Sequence, residues 1–171
     1  MSSYRLIEPS GPIFTFAFSA ISLSTAGPAD LFFFTAPSNS RVSVREVRLG
    51  QYTEFGDAQA ELLPIQLMTG STGTGAGTAI VGLNVQRHTG GPTAGSSLTG
   101  PTTTVASTAS AVVNLSDSFN VAAGFYYKPD WDERIVVPPS GKFMLRVGTP
   151  NDALTLNGTI VLQEIGKPAS T

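Results

Sequence analysis

The chain has 171 residues, 41% of them apolar, which is enough for one domain to bury a substantial core without disulfides or metal ions. Only 13% are Asp, Glu, Lys or Arg, against roughly 25% in an average protein. Ten basic residues against twelve acidic ones supply no basic groove for nucleic acid, and the absence of Cys removes disulfides, thiolate catalysis and Cys-based zinc sites.

The 18 Gly and 12 Pro predict frequent turns and exclude long helices. A surface so poor in charge is made of Ser, Thr, Gly and small apolar groups. Such a surface is either weakly solvated or partly buried against other subunits, because it has few charges to desolvate; the second reading is preferred.

Residues 1–12 read as an N-terminal arm. The run Ile13 to Phe18, with Arg5 upstream, has some look of a signal peptide. Glu8, Pro9, Gly11 and Pro12 interrupt that pattern, and Phe14, Phe16 and Phe18 alternate with Thr15 and Ala17 at strand period, so a strand is expected. No stretch is long and apolar enough for a membrane span, and no membrane partner is expected.

Leu31-Phe32-Phe33-Phe34 is continuously apolar and predicts a strand buried on both faces. In Arg41 to Thr53, Val42 and Val44 lie in one phase and Val47 and Leu49 in the other, so a bulge near Arg45 and Glu46 is expected to restore a common inward face. Leu62 to Met68 contains Pro64 and reads as an edge strand or a strand start. Further strands are expected at Ala79 to Val85, Ala111 to Leu115, Phe119 to Tyr127, Arg134 to Val137 and Phe143 to Val147.

In the last segment Leu154, Leu156, Gly158, Ile160 and Leu162 share a face. Asn157-Gly158 is a candidate type I′ turn, but it would leave a three-residue arm, so one long strand kinked at Gly158 is preferred. Nine or ten strands without helical periodicity give an all-β fold, a β-sandwich of jelly-roll type over 13–166, followed by a C-terminal tail at 167–171.

Two stretches poor in charge break the rhythm, at 69–78 and 87–110. Ordering such Gly-rich chain costs about 1–2 kcal/mol per residue in backbone entropy. Contacts must offset that cost, so these loops are expected to order against neighbouring subunits, to stay mobile at a particle surface, or to be tolerated surface loops. Thr102 to Val105 is a candidate short strand within the second.

Chemistry is sparse. His88 is the sole histidine and sits in a Gly-rich loop, where a Ser-His-Asp arrangement lacks a rigid support. Gly73 to Thr78 lacks the Gly-Lys-Ser/Thr ending of a phosphate loop. The acidic groups Glu54, Asp57, Glu61 and Asp130, Asp132, Glu133 fall where turns are expected; a carboxylate pair drawn from different strands is the one enzymatic option left. No enzyme, cofactor or metal site is expected.

Phe125, Tyr126, Tyr127 and Trp131 are the one feature pointing to binding, because Tyr and Trp favour interfaces and stack on sugars. Alternation puts Phe125 and Tyr127 on one face and Tyr126 on the other. Tyr126, Tyr127, Trp131 and Arg134 are the candidate interface or ligand contacts; the competing reading has Phe125 and Tyr127 in the core and Trp131 capping a sandwich end.

The stretches Val47-Arg48-Leu49-Gly50-Gln51, Gly56 to Glu61, Phe119 to Gly124, Pro129 to Ile135 and Asp152 to Thr155 with Gly158-Thr159-Ile160 resemble virion structural proteins of tailed bacteriophages and prophages, of the small head-decoration kind. The resemblance spans about Val42 to Ile165 and carries no functional residues to transfer. It implies a capsid decoration or auxiliary head protein, made in the host cytoplasm and carried on the capsid surface. Such a protein is expected to oligomerise, as a trimer, and to clamp the major capsid protein or other virion proteins. A lectin-like carbohydrate-binding module using the exposed aromatics is the alternative.

Overall fold

The structure, a computed structural model, describes residues 11–52, 61–84 and 94–166. It is all-β, with no helix among the described residues. Strands β1 (Ile13–Leu23), β2 (Ala29–Thr35), β3 (Arg41–Gln51) and β4 (Leu62–Thr69) are followed by β5 (Leu83–Asn84), β6 (Ser97–Thr99) and β7 (Val112–Asn120). Strands β8 (Phe125–Tyr127), β9 (Val136–Val137), β10 (Lys142–Val147) and β11 (Leu154–Ile165) complete the set.

They form two antiparallel sheets, one ordered β5-β1-β11-β3-β8 with β9 also on β3, the other β6-β2-β10-β4-β7. Phe14, Phe16, Val44, Val47, Ile160 and Leu162 from the first sheet and Phe32, Phe34, Ile65, Leu67, Phe143 and Leu145 from the second share one buried cluster, which makes the molecule a β-sandwich.

Local chemistry explains the strand details. Arg45 is the extra residue of β3, since Val161 pairs with Glu46 and Leu162 with Val44, and the bulge returns all four inward residues of the strand to the core as expected. Strand β11 is continuous through Asn157-Gly158, so no hairpin turn forms there. A side chain at Gly158 would collide with the Phe18 ring, which lies directly across the β1 pairing. Asn157 Oδ1 accepts from the Ala20 N–H at 2.8 Å, where β1 has its own register shift.

Strand β4 is interior, flanked by β10 and β7, and Pro64 is tolerated near its start. The Gly148 N–H donates to the Pro64 carbonyl at 2.8 Å, so the missing donor at Pro64 faces the β10 side, just beyond the Ile65–Val147 pair that ends that ladder.

The expected strand at Phe119 to Tyr127 is broken: β7 ends at Asn120 and β8 begins at Phe125. Between them the Ala123 and Gly124 N–H groups both turn back to the Asn120 carbonyl, and Gly124 takes a φ of +78°. Of Ala79 to Val85 only Leu83–Asn84 is strand, with a single bridge from Ala79 to Thr99; Val85 lies outside the described residues. Thr102 makes one bridge to Asp30 instead of starting a strand, and the paired segment of that loop is Ser97–Thr99 against β2. The expected Arg134 to Val137 strand shrinks to Val136–Val137.

The described parts of the long loops fold back on the second sheet. Phe33, Met68 and Met144 point away from the main core and form a second buried cluster with Ala106. Gly75 lies flat on the Phe33 ring, where any side chain would collide. The Thr72 N–H donates to the Ala109 carbonyl, Ser71 Oγ to the Ser107 carbonyl and Lys142 Nζ to the Thr72 carbonyl, so the two loops hold each other. Contacts within the chain thus offset much of the ordering entropy of these segments. They also bury both faces of β2, as its continuous apolarity predicts.

Candidate functional site

The four candidate contact residues lie around one edge of the sandwich, where β8 and β9 of the first sheet face β7 of the second, and they divide into separate environments. Tyr127 and Arg134 line a cleft of about 410 Å³ together with Leu115, Glu133, Ile135 and Val136. This cleft is an open seam between the sheet edges. Burial pushes the Tyr127 hydroxyl above the usual tyrosine value; the Ile135 backbone hydrogen bond opposes that shift and the Glu133 charge adds to it.

Tyr126 points the other way, as strand alternation requires, and is 60% exposed. Its partner across the ladder is Arg48, whose guanidinium carbon lies 5.6 Å from the ring centre. Arg48 is also bonded to the Glu46 carboxylate, and that hydrogen bond first, then the Glu46 charge, raises the guanidinium above its ordinary value. One face of the Tyr126 ring is therefore occupied by a cation.

Trp131 sits in the turn closed by the Glu133 N–H on the Asp130 carbonyl and is 39% exposed. It is not among the residues lining the cleft. Phe125 is buried against Phe119, with ring centres 5.7 Å apart. The structure therefore brings Tyr127 and Arg134 together and leaves Tyr126 and Trp131 on other surfaces.

Sequence reasoning did not single out strand β7 as an edge. It carries Val112, 60% exposed, and Val113, 48% exposed, and no strand among the described residues pairs with its outer margin. The apolar run at Ala111 to Leu115 signalled a strand, but edge position depends on which distant strands pair. At the opposite edge, a larger cleft of about 580 Å³ is lined by Phe18, Ile21, Ile80, Val81, Leu83 and Pro101.

Of the acidic residues, Asp130, Asp132 and Glu133 are exposed in the turn, and Glu61 accepts the Asn151 N–H. Glu54, Asp57 and His88 lie outside the described residues. Among the described residues no group of three or more His, Asp or Glu is placed to hold a metal ion.

No family model, curated protein or solved structure matches this chain.

Proposed function

We propose that this chain is a structural protein of a virion, a capsid decoration or auxiliary head component that works through contacts with its own copies and with other virion proteins. The observation that carries the reading is the placement of exposed aliphatic side chains at both edges of a charge-poor sandwich. Val81 and Leu83 lie at the β5 edge, and Val112 and Val113 lie at the β7 edge. Apolar groups gathered at two separate margins suit a subunit that meets more than one neighbour. The resemblance of Val47 to Gln51, Phe119 to Gly124 and the other quoted stretches to phage head-decoration proteins agrees with this.

The fold reading that goes with it is a jelly roll. Strand β1 pairs with β11, β2 with β10, β3 with β8 and β4 with β7. That nesting is what an eight-stranded antiparallel ribbon gives when it curls on itself, bringing β11 beside β3 and β10 beside β4.

The lectin-like alternative loses ground at Tyr126, because Arg48 occupies one of the ring faces on which a sugar would stack. A glycan-array signal abolished by Trp131→Ala would restore it.

Imaging and mass spectrometry of particles from cells expressing the tagged chain test the main reading. The protein is expected on the capsid surface in many copies; particles that lack it would reject the proposal.

A further inference from the structure

We infer that the β7 edge is a self-association surface that pairs antiparallel with β7 of a second copy about a two-fold axis near Ser116. The inference deepens the virion reading, resting on its claim of self-association, and names the surface that serves it.

Edge strands expose unpaired backbone groups, and proteins ordinarily blunt them by shortening them or placing Lys or Pro on them. Three margins here follow that rule, since β5 has 2 residues, β6 has 3 and β8 has 3. Strand β7 does not follow it: it has 9 residues, no Pro, no Lys or Arg, and one charge, Asp117.

The ladder fixes which groups face outward. The Gly148 N–H binds the Pro64 carbonyl and the Gly70 N–H binds the Lys142 carbonyl, so even-numbered residues of β4 face β10. Odd-numbered residues therefore face β7, as the bond from the Val121 N–H to the Glu61 carbonyl confirms. Phe119, Asp117 and Leu115, opposite Leu63, Ile65 and Leu67, spend their backbone groups on β4. Ser116 and Ser118 then turn theirs to the open side.

The Asp117 carboxylate caps the Ser118 N–H at 2.7 Å, and the Asn120 carbonyl serves the following turn. Ser116 keeps both an outward donor and an outward acceptor. A residue presenting both is complementary to itself, because a two-fold axis sets each copy's N–H against the other's carbonyl.

The charges fit the same occupant. In this register Asp117 opposes Leu115 of the second copy, so the two carboxylates do not face each other. Asp117 lies on the core side of β7, as does Leu115, so it reaches over the partner's seam. Arg134 and Glu133 both line that seam. A two-fold contact differs from the trimer expected at the outset, since a ring of three needs two unlike surfaces.

Sedimentation of the purified full chain, with hydrogen exchange at the Ser116 amide, tests the pairing. An even-numbered oligomer is expected, with Ser116 protection that grows with protein concentration. Ser116→Pro removes only an outward donor and is expected to give a monomer with an unchanged circular dichroism spectrum. Should that variant fail to fold, Ser116→Lys blocks the edge by charge and decides the matter.

A wild-type monomer or simple trimer, an Ser116 amide whose exchange ignores concentration, or a folded Ser116 variant of wild-type mass would overturn the inference. None of these measurements uses particles. Particles that lack the chain, with the dimer intact, would reject the virion reading and leave this contact standing.

Discussion

Arg146 grips the fully buried Asp30 carboxylate with two hydrogen bonds, Nε to Oδ1 at 2.7 Å and Nη2 to Oδ2 at 3.1 Å. The same pair holds a loop. Asp30 Oδ2 accepts the Ala106 N–H at 2.6 Å, and Arg146 Nη2 donates to the Ala106 carbonyl at 2.6 Å. Asp30 and Thr102 also exchange backbone hydrogen bonds. One ion pair, at a register shift between β2 and β10, thus pins residues 102–106 onto the outer face of the second sheet.

Arg146→Met is therefore expected to be among the most damaging single changes in the chain. It leaves a buried carboxylate without its counter-charge, at a cost of about 3–5 kcal/mol. For a domain of this size that is a fall in Tm of roughly 6–20 °C. Denaturant unfolding checks it. Asp30→Leu combined with Arg146→Met is expected to unfold at higher denaturant than Arg146→Met alone, because the orphaned charge is gone.

Gly158 makes a second testable point. A methyl group there would enter the space of the Phe18 ring, so Gly158→Ala is expected to cost about 1–3 kcal/mol by overpacking. Phe18→Leu should return part of that loss in the double variant, with a coupling of at least about 0.5 kcal/mol between the two sites. Strictly additive costs in the mutant cycle would show that the ring is not the obstacle.

The strands were legible where the pattern is local. The Val42, Val44, Val47, Leu49 phase change reveals its bulge at Arg45, and the Leu154 to Leu162 alternation reveals β11, because each records only which way successive side chains point. Pairing is not written in that way. Nothing local distinguishes β7, an exposed edge, from β4, an interior strand that contains a proline. The separation of Tyr126 from Tyr127 follows from alternation, whereas the Arg48 guanidinium over the Tyr126 ring depends on the β3–β8 register. The loops were open to more than one reading for a related reason: their low charge reads equally as a surface for partners or as cover for Phe33, Met68 and Met144, and the second needs the sheet to be in place.

Glu164 anchors the other loop segment and supports a third prediction. It is fully buried on β11, and its Oε1 accepts the Gly95 N–H at 2.8 Å, the Ser96 N–H at 2.8 Å and the Ser96 hydroxyl at 2.9 Å. Glu164→Ala strands these donors and is expected to cost about 1–3 kcal/mol. Hydrogen exchange at the Gly95 and Ser96 amides should accelerate in that variant before the β1–β11 ladder opens. Glu164→Gln keeps an acceptor oxygen and should be milder. Equal exchange rates in wild type and Glu164→Ala would remove the anchoring role.

Tyr127 gives the pH-dependent prediction. Burial in the seam lifts its ionisation above the ordinary tyrosine value, the Ile135 backbone hydrogen bond opposes that shift, and the Glu133 charge adds to it. In the unfolded chain the hydroxyl loses its proton near the ordinary value, so between that pH and the folded value the native state holds more protons. Stability then falls as pH rises. The contribution is complete below pH ~10 and is lost as pH climbs through the raised folded value. Unfolding midpoints measured from neutral to strongly alkaline pH should show this decline in wild type and a shallower one in Tyr127→Phe, which has no proton to lose. Tyrosinate absorbance should show one ionisation above the ordinary tyrosine value, and that late step should vanish in Tyr127→Phe. A late step that survives the substitution would assign the raised value to another tyrosine.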